Sequence, residues 1–388
     1  MRNAAGNQVL KGVSRSFYLT LRLLPEPMRG AASLGYLLAR TSDTLADTAA
    51  VPAETRLACL ERFGQAVAGS ADTSGLEGVP ARSASSAEPS RLSWPTGCQS
   101  VDSLADRRDA LSALTGWKPV LQSGSAQGTV LGGPAVPLRW PTVLTNAVGD
   151  PRERLLLEQS DGLLVWLGQL PADEARLVRE VVATIIGGQR LDLQRFATAD
   201  QPPPVALADD ADLEDYAWRV AGCVGAFWTH LGFLTLGERF STAPADLLLD
   251  LGIAYGKGLQ LVNILRDLPA DLAAGRCYLP VADSRDTAEL LESHRRWVVQ
   301  ADAWVQAGFA YSATLRSRRL RAATVLPAML AKETLERLRG ASWQDLQTRV
   351  KVPRSKVYLA LVKAFGMKRV SPICLSTISS VQPPGHRR

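Results

Sequence analysis

The sequence predicts an all-α fold, a single-domain bundle of long helices. Three observations carry that expectation. Leucine and alanine abound while aromatics make up only 6% of the 388 residues, a composition that favours helices. Apolar residues recur at helical spacing in segment after segment, and strand-like alternation of β-branched residues is scarce. Two segments carry, beside the apolar stripe, a second stripe of polar residues at the same period. A chain of this length can bury a large core. Its 46% hydrophobic and 21% charged content is that of an ordinary globular protein.

In chain order, Ser14, Arg15, Ser16 and Phe17 open a run that reaches Leu24. Serine at a helix start leaves backbone N–H groups free for an anion, so Arg15 reads as an anion contact or as a surface arginine beside a cap. Pro25 and Pro27 mark a turn. The next helix runs to about Thr48. Leu34, Leu37, Leu38 and Leu45 form its apolar side; Tyr36, Arg40, Asp43 and Asp47 follow at i, i+4, i+7 and i+11. A helix over 53–68 carries Leu57, Leu60, Phe63 and Val67. Residues 70–143 are dense in Ser, Gly and Pro and lose the periodicity, apart from a short helical stretch over 101–114. That composition reads as a flexible insertion that leaves the core intact.

Helical spacing resumes at Pro151, with one helix to Pro171 and a long one over 172–196. Gln189 and Asp192 share a face near the end of the second; Asp192 reads as an exposed carboxylate in preference to a partner behind a metal site. Pro202 to Pro204 form a stiff connector. The helix from about Leu213 carries Tyr216, then Gly222 and Gly225. Glycine inside a helix either permits close packing or leaves room for an apolar chain. Next, Leu251, Ala254, Tyr255, Gly258, Leu261, Val262 and Leu265 form one stripe, and Gln260, Asn263, Asp267 and Asp271 another at i, i+3, i+7 and i+11. Pro269 removes a helical N–H and crowds residue 265, which places Asp271 past the regular helix. Two more helices cover 290–315 and 318–339, the second kinked or interrupted at Pro327. The segment 350–365 is basic and amphipathic and suits either a peripheral membrane contact or a solvated face.

Carboxylates aimed at one place repel each other. Mg²⁺ takes oxygen ligands of this kind and shares them with substrate phosphates. If the two D-x-x-x-D helices face each other, Asp43, Asp47, Asn263, Asp267 and Asp271 can hold several Mg²⁺ ions and a diphosphate. At these residues the chain resembles the squalene/phytoene synthase family of head-to-head prenyltransferases. NILRDLPADLAAGRCYLP looks like the family's second aspartate motif, VSRSFYLTLRLLP like its start and YAWRVAGCVG like a later segment. The resemblance covers roughly 10–70 and 150–365, within a domain of 10–365 followed by a polar tail over 368–388.

The resemblance implies an isoprenoid-synthase-like bundle around a deep central cavity that holds prenyl chains. It implies Mg²⁺ on Asp43, Asp47, Asn263, Asp267 and Asp271, and diphosphate contacts from Arg15, Arg40, Arg266 and Gln260. Tyr216 falls near the reacting carbons, catalytic together with Asp43, Asp47 and Asp267. The implied reaction joins two prenyl diphosphates through a cyclopropyl diphosphate. Asp43-Thr44 is similar to squalene synthases, which points to two farnesyl diphosphates and a C30 product, with NADPH needed if that product is squalene. Gly275 to Pro280 look more like phytoene or bacterial presqualene diphosphate synthases, which keeps those alternatives open. Thr48 departs from squalene synthases, which often have an acidic residue there.

Other classes are weaker. A non-catalytic isoprenoid binder is argued against by the intact aspartates. Head-to-tail prenyltransferases and terpene cyclases usually show D-D-x-x-D, which this sequence lacks. The net charge of +6 suits anionic partners, but no Lys/Arg block with interleaved aromatics points to nucleic acid. Five scattered cysteines without a C-x-x-C pair indicate neither zinc nor a disulfide framework. No apolar N-terminal segment, no bilayer-length apolar run and no anchor-like tail is read. The expected place is the cytoplasm, with membrane contact for product release confined to the cytoplasmic face.

Overall fold

Proline and glycine punctuate the helices where their backbones require it. The computed structural model describes residues 17–69, 137–196, 204–348 and 350–366. Expectations for Arg15, for a helix over 101–114 and for the tail over 368–388 fall outside the described residues. Helix α1 (Phe17–Leu23) ends just before Pro25, and α2 (Glu26–Asp47) carries Pro27 in its first turn, where no N–H is missed. Helix α3 (Ala53–Ala68) follows Pro52 and stops at Gly69, whose φ of 83° lets its N–H reach the carbonyls of Gln65 and Ala66. The short α4 (Thr142–Ala147) precedes α5 (Pro151–Glu158) and α6 (Ser160–Gln169). One helix was expected across these last two. It breaks because the Ser160 hydroxyl donates to the Leu157 carbonyl at 2.7 Å, a local bond that competes with the helical one.

Helix α7 (Ala172–Arg195) leads through strand β1 (Val205–Ala206) to α8 (Asp210–Ala217), capped by the Asp209 carboxylate. A π-helical turn over Trp218–Gly222 joins α8 to α9 (Cys223–Leu236). The long α10 (Ala245–Ala273) is followed by β2 (Arg276–Cys277), which pairs parallel with β1. Helices α11 (Thr287–Thr314), α12 (Arg318–Leu338), α13 (Trp343–Gln347) and α14 (Arg354–Gly366) complete the described chain. The all-α expectation is met, since the two strands are two residues each.

The apolar stripes read from the sequence are the buried ones. Leu34, Leu37, Leu38 and Leu45 of α2 are fully buried with Leu60 and Phe63 of α3 and Val178 and Val182 of α7. Leu261, Val262 and Leu265 of α10 pack with Trp297 and Val305 of α11 and Leu335 of α12. Helix α10 lies between α9 and α11, and its approach to α9 is set by glycine. A Cβ on Gly225 would stand 1.8 Å from the Gly252 carbonyl oxygen, and one on Gly256 would stand 2.2 Å from that of Ala221. Of the two sequence readings of Gly225, close helix packing is the one realised.

Two prolines lie inside unbroken helices, so of the kink or interruption expected at Pro327 the interruption does not occur, and the expected end of the helix before Asp271 is corrected. Pro327 does not interrupt α12, and Pro269 does not end α10, so Asp271 lies on the helix. A side chain from a neighbouring helix bonds the carbonyl three residues before Pro327 and the one four residues before Pro269, the latter being the carbonyl that the proline leaves without its helical donor. The Tyr255 hydroxyl donates to the Thr324 carbonyl at 2.8 Å, and His294 Nε2 lies 3.1 Å from the Leu265 carbonyl oxygen.

Residues 137–143 were expected within the insertion, yet Leu138 and Trp140 pack on the core. Trp140 meets Phe63 edge-on at 6.1 Å and donates from Nε1 to the Leu157 carbonyl. One expectation about membranes is corrected: Asp210–Arg239 is a helical stretch long and apolar enough to cross a bilayer. Its α9 part packs against α2, α7 and α10, as a bundle helix does. Among its described side chains, helix α14 buries only small ones, Ala360 and Ala364, and leaves the apolar Tyr358, Leu359 and Val362 exposed, so its outer face is not the purely polar one of a simple amphipathic helix.

Candidate functional site

The end of α10 builds most of the site. Gly275 takes a φ of 78°, which an L side chain resists, and its N–H returns to the Leu272 carbonyl. The chain then reverses into β2, held to β1 by Val205 N–H on the Gly275 carbonyl and Leu207 N–H on that of Cys277. Alternate residues of an extended strand share a side. Cys277 and Leu279 turn into the core, and Arg276 and Tyr278 turn to the carboxylates.

Arg276 stands 3.6 Å from Asp271 and 3.9 Å from Asp192. The Tyr278 hydroxyl donates to Asp192 at 2.9 Å, and its ring stacks on Tyr216 with centroids 4.9 Å apart and planes 21° apart. Phe196 closes on Tyr278 edge-on at 5.3 Å. Asp192 is thus an enclosed partner of the site, which corrects its reading as an exposed carboxylate. It lies on the inner face of α7, where Tyr278 and Arg276 cover it.

The first motif faces this group. Asp43 accepts from Gln189 Nε2 of α7 at 2.7 Å, and Arg40 lies 3.6 Å from Asp43 while pairing with Glu153 of α5. The charge of Asp47 is felt at Asp271, Asp192, Tyr216 and Arg276, so the first aspartate helix lies within electrostatic reach of the second, the condition that the sequence reading set. Asp267 is gripped by the adjacent Arg266 guanidinium through two of its nitrogens. Asn263 and Gln260 lie on the same polar stripe of α10, exposed and half-buried.

The electrostatics are those of acid groups held where water cannot fully solvate them. Burial first, and then the Asp47 charge, push Asp43 up to about 6. Burial also raises Asp192 and Asp271 to about 6 each, with Arg276 opposing the rise and neighbouring aspartates adding to it. Tyr216 is held well above the usual tyrosine range, by burial and then by the Asp192 charge, so its hydroxyl keeps its proton. Burial works against the Arg276 charge, but Tyr278, Asp271, Asp192 and Asp47 outweigh it.

The donors fit hard cations. They are oxygen groups, they repel one another, and the Gln189 Oε1 acceptor beside Asp43 is buried with no partner, an atom that water on a hydrated cation would satisfy. Among the described residues no three carboxylate, histidine or cysteine groups converge as a closed cage. Mg²⁺ uses one or two carboxylates together with substrate phosphates, so facing pairs suit it. Sequence reasoning missed Arg276, Tyr278 and Glu153 as site groups. Only the first two left a signal, an alternating pair just after a helix-ending glycine.

The sequence profile of squalene/phytoene synthases matches residues 10–92 and 98–356. The chain belongs to that family. The match runs on through most of the stretch expected to interrupt it. The phytoene synthase of Thermus thermophilus is 30% identical over 182 residues, 44% of this chain and 59% of the relative. The presqualene diphosphate synthase of Zymomonas mobilis is 29% identical over 150 residues, 34% of this chain and 46% of the relative. The bifunctional lycopene cyclase/phytoene synthase of Phaeosphaeria nodorum is 25% identical over 272 residues, 70% of this chain and 33% of the relative. The chain spans less than two thirds of the length of each of these relatives. Among solved structures, TcSQS in complex with BPH1237 aligns with a TM-score of 0.62 at 21% identity, over 93% of this chain and 85% of that one. A dehydrosqualene synthase aligns at 0.51 and 19%, over 94% and 95%. At these identities the structures establish a shared all-α fold.

Proposed function

We propose that this squalene/phytoene synthase family member joins two prenyl diphosphates head to head through a cyclopropyl diphosphate. Two farnesyl diphosphates are the proposed substrates and a squalene-type C30 hydrocarbon the product. The observation that supports this most is that charge from both aspartate helices reaches Arg276, with the Tyr216–Tyr278 stack beside it.

Asp43, Asp47, Asn263, Asp267 and Asp271 would hold Mg²⁺, which when bound neutralises the diphosphate and makes it a better leaving group. Arg40 and Arg266 now pair with carboxylates; their guanidinium forks match diphosphate oxygens equally well. Arg276 is a third cation for the same anion. The diphosphate departs with the electron pair of its C–O bond and leaves an allylic cation. The double bond of the second prenyl diphosphate attacks that cation, and loss of one proton closes the cyclopropane. Tyr216, held protonated, is suited to steady positive charge with its ring and unsuited to act as the base. Exclusion of water by the apolar core protects the cation from quenching.

A second reading, two geranylgeranyl diphosphates to a C40 product, is favoured by relatives named phytoene synthase. The Zymomonas relative's name favours release of presqualene diphosphate. Only squalene formation needs hydride from NADPH; among the described residues no strand–glycine turn–helix unit of a dinucleotide fold is present.

The test incubates the protein with farnesyl or geranylgeranyl diphosphate, each with and without Mg²⁺ and NADPH. Diphosphate release and product mass are read together. Mg²⁺-dependent release with a C30 product is expected. A C40 product without NADPH replaces the farnesyl assignment, and no release from either substrate overturns the enzymatic reading.

A further inference from the structure

The second aspartate motif has a defect built into its backbone. Pro269 lies between Asp267 and Asp271 and has no N–H to give the Leu265 carbonyl, its acceptor one turn earlier. Leu265 is fully buried, so water does not replace that donor. An unmet buried carbonyl is a costly group. His294 of α11 answers it: the ring is 1% exposed, and Nε2 lies 3.1 Å from the Leu265 oxygen. Burial favours the neutral ring, and in that form the contact requires the proton on Nε2.

We infer that His294 is a positioning residue for the second aspartate motif, its Nε2–H supplying the hydrogen bond that Pro269 withholds from Leu265. The carbonyl it holds belongs to the turn between Asn263 and Asp267, and the same turn hands on to Asp271. Without the bond, the turn is free to open at the proline, and the two carboxylates lose their one-turn spacing. His294 touches neither carboxylate; it acts through the α10 backbone. The inference goes beyond the proposed prenyl condensation and borrows from it only the activity readout.

The experiment is a double-mutant cycle in the full chain. H294M removes the donor and keeps the bulk. H294Q restores a donor, because the glutamine amide reaches as far as Nε2. P269A restores the backbone N–H, so it makes the histidine bond dispensable. Three quantities are read for each protein: the denaturation midpoint, the rise in melting temperature on adding Mg²⁺ with inorganic pyrophosphate, and the Mg²⁺ concentration that half-saturates diphosphate release. H294M is expected to raise that concentration roughly tenfold, the scale seen when a residue behind a metal ligand is lost. It is also expected to shrink the pyrophosphate-dependent rise. H294Q and the P269A/H294M pair are expected to recover both. Behaviour of H294M like the parent, or a double variant as impaired as H294M alone, overturns the inference. If H294M does not fold, folding of the P269A/H294M chain supports it and failure of both overturns it. If the parent shows no response to Mg²⁺ with pyrophosphate, the prenyl-diphosphate reading fails on its own, and non-additivity of the two denaturation midpoints still decides the hydrogen bond.

Discussion

Asp271 carries a stability cost that its function would explain. Its carboxyl is pushed up to about 6 by burial, with Arg276 opposing and Asp267, Asp192 and Asp47 adding. A folded-state value above the unfolded one means the folded chain binds the proton more tightly. The stability from that proton is complete below pH 4 and is lost as pH rises through about 6. Asp43 and Asp192 act in the same direction. His230 and His294, held neutral by burial, act in the opposite direction; with these three raised aspartates against two lowered histidines, the metal-free protein is expected to melt higher at pH 5 than at pH 7.5. D271N removes the charge, and at pH 7.5 it is expected to stabilise the metal-free protein by about 1 kcal/mol, discounted for residual solvent contact, while lowering diphosphate release at least tenfold. Scanning calorimetry in EDTA at both pH values tests this. A variant that melts lower than the parent at pH 7.5 would mean that the Arg276 contact outweighs burial. The four aspartates of the two motifs were legible because periodicity reports a helix face. The contacts of Asp192, Gln189 and Glu153 were not, because their partners lie 86, 146 and 113 residues away and pairing at that range has no period.

The helices were legible for the same reason, and their ends were legible where proline or glycine stands. The π-helical turn over Trp218–Gly222 and the two-residue strands were not, being shorter than any periodic signal. The glycines of α9 were legible as important but not in role. Gly225 sits in contact with the backbone of Gly252, and a methyl group there would displace α9 from α10. G225A is therefore expected to cost about 2–3 kcal/mol, as over-packed cores do. G30A is the contrast, since a Cβ on Gly30 of α2 meets nothing within 4 Å. In the second turn of α2 it is expected to gain about 0.5–1 kcal/mol. Urea midpoints of the two variants should move in opposite directions; a neutral G225A would mean that α9 and α10 can separate freely.

At the scale of the whole molecule, the edge of the stretch expected to be an insertion decides what can be removed. The Arg62 side chain of α3 donates to the Arg139 carbonyl at 3.0 Å, so the returning chain lies beside α3 less than two turns from its end. A short linker can therefore join Gly69 to Pro137. Residues 137–142 are different, because Trp140 fills a place against Phe63 and satisfies the Leu157 carbonyl. Replacing 70–136 by a short Gly/Ser linker is expected to leave the fold and diphosphate release intact, since the composition of that stretch is too polar to build a core of its own. The family match through most of it makes the experiment a sharp one. W140A in the full chain is expected to cost about 2 kcal/mol, below the scale of a fully buried tryptophan because the ring is only half-buried. Circular dichroism melts and diphosphate release, measured on both proteins, separate the outcomes. A folded but inactive replacement would assign 70–136 to the reaction itself, and an unaffected W140A would move the edge of the removable segment past residue 140.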